Sequence, residues 1–134
     1  MKAFPLKIVT PDGIRFDGMA EELIVRATTG DMGFLAGHTN CVAPLGMGRA
    51  TIVVDGERRY GACIGGMVSV MNGNVTLVPT TFEWAQDIDV ARAEASKERA
   101  QAVLDNKNAS ETDILLAKAK LRRALVRTAV AKTK

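Results

Sequence analysis

The sequence predicts two domains of different class, a β domain followed by an α domain. All twelve glycines and all four prolines lie at or before position 79, whereas twelve of the fifty positions from 85 to 134 are alanine. Glycine and proline mark turns, and alanine favours helix. The charge balance changes at the same place, from seven basic and eight acidic residues over 1–84 to eleven and seven over 85–134. We therefore expect a β domain over residues 1–84 and a helical domain over residues 85–134.

Length and composition restrict the class of protein further. The chain has 134 residues, of which 47% are apolar and 25% charged, values that are typical of a folded domain. No stretch approaches the roughly 18 apolar residues of a membrane-spanning helix, and the first residues do not resemble a secretory signal. Cys41 and Cys63 are the two cysteines, too few for a disulfide framework, so a reducing, cytoplasmic context is expected.

Short strands separated by turn signals run through the β domain. Asp55-Gly56 stands between the apolar run 50–54 and the segment Glu57-Arg58-Arg59-Tyr60, and Asn72-Gly73 stands between the runs 67–71 and 75–78. These dipeptides favour two-residue hairpin turns because both positions need positive φ. Pro11-Asp12-Gly13 marks another turn. The run 22–27 alternates so that its apolar residues share one face, Leu23, Val25 and Ala27. Strands at this spacing predict a sandwich or flattened barrel.

Two helices are predicted for the α domain. Asp87 or Asp89 is placed to cap the first helix, which runs to about Leu104, and Ser110 begins a capping arrangement for the second. Apolar residues recur at helical spacing on both, in the first at Ala93, Ala100, Val103 and Leu104, and in the second at Ile114, Ala117, Leu121, Ala124, Leu125 and Thr128. The polar loop 105–108 predicts an antiparallel hairpin. Because its facing residues are mostly alanine and leucine, the hairpin should be only marginally stable alone.

Three strings carry a family resemblance over essentially the whole chain. The segments 30–39 (GDMGFLAGHT), 65–70 (GGMVSV) followed by 74–76, and 87–93 (DIDVARA) occur in this order. Together they resemble the epsilon subunit of bacterial F-type ATP synthase. The chain departs from that family at Ala36, where proline is common, and at Ala91, where larger residues are often found.

The resemblance implies a fold and a role. The fold is a ten-stranded β-sandwich followed by an antiparallel two-helix hairpin. The role is that of a non-catalytic rotor subunit in the central stalk of a proton-translocating ATP synthase, a peripheral membrane protein at the cytoplasmic face of the bacterial cell membrane. Its partners would be the gamma subunit, the c-subunit ring and, when the hairpin extends, the catalytic alpha and beta subunits. Asp31 and His38 would lie at the rotor interface.

The resemblance also implies a regulatory ATP site on the folded hairpin. The residues that match it are Glu83, Ile88, Asp89, Arg92, Ala93, Arg99, Arg123 and Arg127. The chain has no phosphate-binding glycine loop, so guanidinium groups would have to hold the phosphates. Whether Arg122 or Arg123 takes part is left open, because the loop between the helices can differ in length. ATP would be a ligand and not a substrate, and the sequence requires no metal.

The resemblance leads to the hypothesis that the hairpin has two states. Folded, it leaves ATP hydrolysis free; extended, about 45 helical residues would span roughly 68 Å and reach the catalytic ring, inhibiting hydrolysis. The basic face of Lys118, Lys120, Arg122, Arg123 and Arg127 would then meet acidic residues there. ATP bound only to the folded state at about 100 times its dissociation constant would stabilise that state by about 2.7 kcal/mol.

The same residues admit other interpretations. In the first, Asp89 is only a helix cap and Arg92 is its surface partner, and the chain is a rotor subunit that does not sense nucleotide. A nucleic-acid-binding module is the rival from another class, but seven acidic residues interrupt the basic tail and aromatic residues are scarce. The single histidine, His38, argues against a zinc site with the cysteines and against a catalytic triad. Phe82 and Trp84 are expected to seal the end of the sandwich.

Overall fold

A computed structural model describes residues 2–133 of the chain. It divides into two compact units, one of residues up to Trp84 and the other from Ala85 onward. The first unit contains only strands and their turns, and the second contains helices. No helix within residues 2–133 is long and apolar enough to cross a membrane.

Ten strands form the first unit. They are β1 (Phe4–Thr10), β2 (Gly13–Ala20), β3 (Glu22–Ala27), β4 (Gly30–Phe34), β5 (Cys41–Pro44), β6 (Met47–Val54), β7 (Glu57–Ile64), β8 (Met67–Met71), β9 (Asn74–Val78) and β10 (Thr81–Trp84). One sheet has the order β2-β1-β9-β8-β5 and the other β10-β7-β6-β3-β4. All neighbours are antiparallel except β1 and β9, which are parallel. The predicted ten-stranded sandwich is confirmed.

The core lies between the inner faces of the two sheets. Alternation places every second residue of a strand there, as Leu6 and Ile8 show on β1 and Leu23 and Val25 on β3, all at most 1% exposed. Ala27 is also buried, so the predicted apolar face of residues 22–27 is confirmed. The largest fully buried side chain is that of Phe34 at the end of β4.

The hairpin turns lie where their dipeptides predict them. Asp55 and Gly56 have φ values of 52° and 78°, and Asn72 and Gly73 have 51° and 83°. These two turns join β6 to β7 and β8 to β9, with Val54 opposite Glu57 and Met71 opposite Asn74. Positive φ at both central residues gives the twist that matches the flanking strands.

The second unit is a helical hairpin. A single 3₁₀ turn, Ala85–Asp87, precedes α1 (Val90–Asp105), and α2 spans Glu111–Ala131. Asp89 is the N-cap of α1 and Ser110 that of α2, each accepting a hydrogen bond from a backbone N–H three residues on. Of Asp87 and Asp89, the two predicted candidates, Asp89 is the N-cap of α1. The predicted fold class, a β-sandwich followed by a helical hairpin, is therefore confirmed.

Small side chains dominate the buried surface of the hairpin. Ala93 and Ala100 are the buried residues of α1, and those of α2 are Ala117, Ala124, Thr128, Val130 and Ala131. Two members of the predicted apolar stripes are exposed instead, Leu125 at 44% and Val103 at 36%. Of the alanine and leucine expected where the helices face each other, the buried residues of α1 and α2 include alanine but no leucine.

Candidate functional site

A groove of about 690 Å³ lies in the helical hairpin. It extends from the middle of α1 to the loop between the helices and back along α2. The residues that line it are Ser96, Arg99, Ala100, Val103, Asn106, Asn108, Ala109, Asp113, Leu116, Ala117, Lys120, Arg123 and Arg127. Its volume is in the range of pockets that hold small organic ligands.

Helical spacing brings the basic side chains of α2 to the same groove. Lys120, Arg123 and Arg127 are separated by three and four residues, so they lie on one face of the helix. Arg99 reaches the groove from α1, where its guanidinium donates a hydrogen bond to Ser96 Oγ at 3.4 Å. The small residues Ala100 and Ala117 are both buried and line the groove as well.

The charges of this groove suit a polyanion. Four of its side chains are cationic, on Arg99, Lys120, Arg123 and Arg127, and Asp113 supplies the one carboxylate. Arg123 and Lys120 are exposed and Arg127 is half-buried. Guanidinium groups present a planar set of donors that matches two phosphate oxygens at once. Several phosphates in a row would therefore meet several donors in a row.

The start of α1 lies outside the lining of this groove. The Asp89 carboxylate accepts a hydrogen bond from the backbone N–H of Arg92 at 3.0 Å. Ile88 and Ala93 are 4% and 3% exposed, and Arg92 is exposed. None of these four residues lines the groove. The structure thus gives Asp89 a capping role in the hairpin and brings together three of the eight residues of the predicted ATP site, Arg99, Arg123 and Arg127.

The remaining members of the predicted set have definite places. Glu83 is half-buried on β10, where it pairs with Ala62 of β7. Arg122 is exposed and is not part of the groove lining, whereas its neighbour Arg123 is. Of the two arginines that the sequence left as alternatives, Arg123 is the one that lines the groove.

Asp31 and His38, predicted for an interface, lie on β4 and in the loop after it. The Asp31 carboxylate is 3.4 Å from Arg26 Nε, and both side chains are more than half exposed. His38 Nδ1 is 2.8 Å from the Thr39 carbonyl oxygen, and its ring centroid is 4.8 Å from that of Phe34. Each is thus held locally within the sandwich unit.

The two cysteines have different environments in the sandwich unit. Cys63 is buried in the core, and this burial raises the pKa of its thiol from 9.0 to about 12. Cys41 Sγ lies 4.0 Å from His38 Nδ1. Within residues 2–133, no three His, Cys, Asp or Glu side chains are placed to hold a metal ion.

Phe82 and Trp84 pack together on β10, an edge strand of its sheet. Their ring centroids are 5.0 Å apart in an edge-to-face arrangement, and Phe82 is part of the core. Trp84 donates its indole N–H to the Arg15 carbonyl oxygen at 3.2 Å. The contact joins β10 to β2, an edge strand of the other sheet, and the sealing role stays a prediction.

Five polar lining residues lie outside the predicted ATP-binding set: Ser96, Asn106, Asn108, Asp113 and Lys120. For Lys120 the sequence does hold a signal, the spacing of 120, 123 and 127 on one helix face. The family resemblance instead implies that this lysine meets the catalytic ring when the hairpin is extended. For the loop asparagines no spacing rule applies, since their place depends on how the chain turns between the helices.

Two family models cover the chain almost completely. Residues 3–85 match the β-sandwich domain of the ATP synthase delta/epsilon chain, and residues 86–132 match the long α-helix domain of the same chain. The chain therefore belongs to the ATP synthase delta/epsilon chain family.

Within this family the similar curated proteins are epsilon chains. The ATP synthase epsilon chain of Bacillus velezensis is 42% identical over 131 residues, with 98% of both chains covered. That of Ruminococcus albus is 41% identical over the full length of both. Among solved structures, a chain of the Euglena gracilis mitochondrial ATP synthase has a TM-score of 0.83 at 20% identity, over 98% of this chain and 82% of that one. A chain from the central stalk and c-ring of the Tetrahymena thermophila enzyme has a TM-score of 0.61 at 14% identity, over 95% of both chains.

Proposed function

We propose that this chain is a non-catalytic subunit of the central stalk of a bacterial, proton-translocating ATP synthase. Its membership of the delta/epsilon family supports this role. The similar folds in solved ATP synthases, one of them described as central stalk and c-ring, point the same way. The sandwich would bind the gamma subunit and the c-subunit ring, at the cytoplasmic face of the membrane. Asp31 on β4 and His38 in the loop after β4 would contribute to that interface.

We further propose that the hairpin senses ATP and inhibits ATP hydrolysis when it extends toward the alpha and beta subunits. The observation that carries this is the groove lined by Arg99, Arg123 and Arg127. These residues come from both helices, so a triphosphate bound among them would hold the hairpin in its folded state. A ligand that binds one state alone stabilises it by mass action. Loss of ATP would then free the hairpin to extend.

Asp89 and Arg92 enter this proposal differently from the groove arginines. Asp89 fixes the start of α1 through its cap, and the second oxygen of its carboxylate is a candidate acceptor for a ribose or base donor. Ile88, Ala93 and Glu83 would complete the nucleoside end of the site. The simpler rotor function, without nucleotide sensing, is favoured by one observation, the capping hydrogen bond that already explains Asp89.

Calorimetric titration of ATP into the purified chain separates these two functions. Arg123→Ala and Arg122→Ala form a matched pair, since only Arg123 lines the groove. We expect Arg123→Ala to weaken ATP binding roughly tenfold or more through loss of a charge-assisted contact, and Arg122→Ala to leave it nearly unchanged. Asp89→Asn, which keeps the cap, tests direct contact with the ligand. Absence of ATP binding by the wild type would leave the rotor function without the sensing.

The inhibitory role needs the assembled enzyme. Hydrolysis is compared in complexes that contain the full chain and in complexes whose chain ends at residue 87. At low ATP we expect faster hydrolysis in the truncated complex, and equal rates would contradict inhibition by the hairpin.

A further inference from the structure

We propose that β4, an edge strand of its sheet, pairs with an extended main-chain segment of another stalk subunit, and that this segment places a large apolar side chain over Gly33. The inference rests on the proposed place of the chain in the central stalk, and it specifies how one strand would bind there. Three features of β4 support it: a glycine that the fold does not require, main-chain groups that point to a free edge, and apolar side chains beside the glycine.

Gly33 is a glycine that the fold itself does not require. Of the twelve glycines, all of which lie within residues 2–133, seven have a positive φ, and four others would place an added Cβ within 4 Å of another atom. Gly33 is the one with neither property. A glycine inside a strand loses more conformational freedom on folding than other residues and has no side chain to pack. Its presence in β4 therefore indicates that something outside this chain approaches the strand closely.

The main chain of β4 offers hydrogen-bonding groups to such a partner. Within residues 2–133, β4 pairs only with β3, because it is the last strand of the order β10-β7-β6-β3-β4. On β3, the Arg26 carbonyl oxygen accepts the Gly46 N–H at 2.9 Å, so the main-chain groups of Arg26 point away from β4. Arg26 and its partner Asp31 are therefore a non-hydrogen-bonded pair, and by alternation the next such pair is Ile24 and Gly33. The N–H and C=O groups of Asp31 and Gly33 point to the free edge, where an added strand would bind them.

The outward face of β4 offers an apolar place for a side chain of that segment. Gly33 lies opposite Ile24, which is half-buried. The alternation of the strand puts Leu35 on the same face, two residues on, and Leu35 is 52% exposed. A large side chain on an added strand would lie across the glycine and contact both, as aromatic side chains do beside edge glycines. The ion pair of Arg26 and Asp31 marks the polar end of this face.

A short strand of this kind suits a segment that is already held nearby. β4 has five residues, Gly30–Phe34, and two of them are glycine. Pairing along it makes only a few hydrogen bonds and buries far less than the roughly 1,600 Å² of a stable protein–protein interface. Two free copies of the chain would therefore gain too little from joining their β4 edges. A stalk subunit that is bound to the sandwich through a second contact supplies its segment at a high effective concentration.

Amide hydrogen exchange tests the pairing directly. The full chain is exchanged alone and within the assembled ATP synthase, and fragmentation mass spectrometry after quenching resolves single residues. We expect the amides of Asp31 and Gly33 to exchange at least about tenfold more slowly in the complex. The amides of Met32 and Phe34, which point to β3, should be protected in both samples. Equal rates at Gly33 in the free and the assembled chain would overturn the proposal.

Two substitutions separate the partner from the fold. Gly33→Pro removes the N–H at the free edge, where proline is tolerated, and Gly33→Val fills the space of the proposed side chain. Gly18→Ala is the control, because Gly18 lies on β2, an edge strand of the other sheet, and has no positive φ. Each labelled chain is titrated into ATP synthase depleted of it. We expect both Gly33 variants to bind at least about tenfold more weakly and Gly18→Ala to bind within about twofold of the wild type. The urea midpoint of the free Gly33→Val chain should equal or exceed that of the wild type, since valine favours strands.

Each result has a distinct meaning. If the wild type binds the depleted complex and the Gly33 variants bind equally well, the strand pairing is overturned and the place in the stalk stands. If the wild type itself does not bind, both are overturned. A lower urea midpoint for Gly33→Val would show that the sandwich itself needs this glycine, which contradicts the proposal. A free chain that sediments as a dimer, and as a monomer after Gly33→Pro, would assign the edge to a second copy and overturn the stalk partner.

Discussion

Gly66 shows how one backbone conformation ties two strands together. It has φ +92°, and a Cβ built there would lie 2.0 Å from the Val78 carbonyl oxygen. Its own carbonyl oxygen accepts a hydrogen bond from the Leu45 N–H at 2.8 Å. The position therefore excludes a side chain for two reasons, the backbone conformation and the space. The chain therefore requires glycine at position 66, immediately before β8.

Gly66→Ala should lower the free energy of unfolding by about 2–4 kcal/mol, since strain and overlap with backbone add. Gly73→Ala is the control, because Gly73 has φ +83° but nothing within 4 Å of an added Cβ. That variant should lose only the conformational part, about 1–2 kcal/mol. Urea denaturation followed by circular dichroism measures both. Equal losses would show that the overlap at Gly66 is relieved without cost.

The two cysteines should differ in reactivity. Burial raises the pKa of the Cys63 thiol from 9.0 to about 12, so its thiolate is rare at pH 8, whereas Cys41 is half-buried at the edge of a sheet. We expect iodoacetamide to modify Cys41 more than about tenfold faster in the native protein. Mass spectrometry of the peptides measures this, and in urea the two rates should become similar. A native rate at Cys63 equal to that at Cys41 would contradict the burial.

The raised pKa of Cys63 also gives a direction for stability against pH. The thiol stays neutral in the folded state while it ionises at its ordinary pKa in the unfolded state. Its contribution to stability is therefore complete below about pH 9 and is lost as the pH rises toward 12.

At the scale of the element, the hairpin depends on how its helices begin. Asp89 Oδ1 accepts from Arg92 N at 3.0 Å, and Ser110 Oγ accepts from Asp113 N at 3.1 Å. Each cap satisfies one of the amide donors that the first turn of a helix leaves without a partner. Since the contact between the helices is made mostly by alanines, the caps form a large share of what stabilises them.

Asp89→Ala should destabilise the hairpin by about 1 kcal/mol, and Ser110→Ala by a similar amount. Asp89→Asn should be nearly neutral, because asparagine is an equally good N-cap. The measurement is the loss of helical circular dichroism in urea. If the asparagine variant loses as much stability as the alanine variant, the charge of Asp89 matters and the cap does not explain its role.

At the scale of the whole molecule, the two units are built from different side chains. The sandwich buries large residues such as Phe34, Leu6 and Ile52, whereas the hairpin buries mostly alanine. Burial stabilises in proportion to the apolar area removed from water. We therefore expect the hairpin to be the less stable unit.

Native-state hydrogen exchange should resolve this difference. Amides in the centres of α1 and α2 should exchange at least about tenfold faster than those of β6 and β7, because the hairpin opens without the sandwich. Addition of ATP should slow exchange in the helices and leave the strands unchanged, if the groove binds it. Uniform protection across both units would contradict independent opening of the hairpin.

The sequence alone determined the fold class, because the signals are local. Glycine, proline and the Asp-Gly and Asn-Gly dipeptides act through the backbone conformation of their own residues, and Ser110 caps a helix three residues away. The three strings also sufficed to name the family before any coordinate was known. Both results need only short separations along the chain.

Which basic residues share a groove depends on how the two helices pack. Arg122 and Arg123 are neighbouring residues of the same type, and only Arg123 lines the groove. The same packing brings Lys120 to the groove and leaves Leu125 exposed. The physical reason is that a residue's neighbours across a helix pair depend on the axial register and rotation of both helices, which the short-range spacing on one helix does not contain.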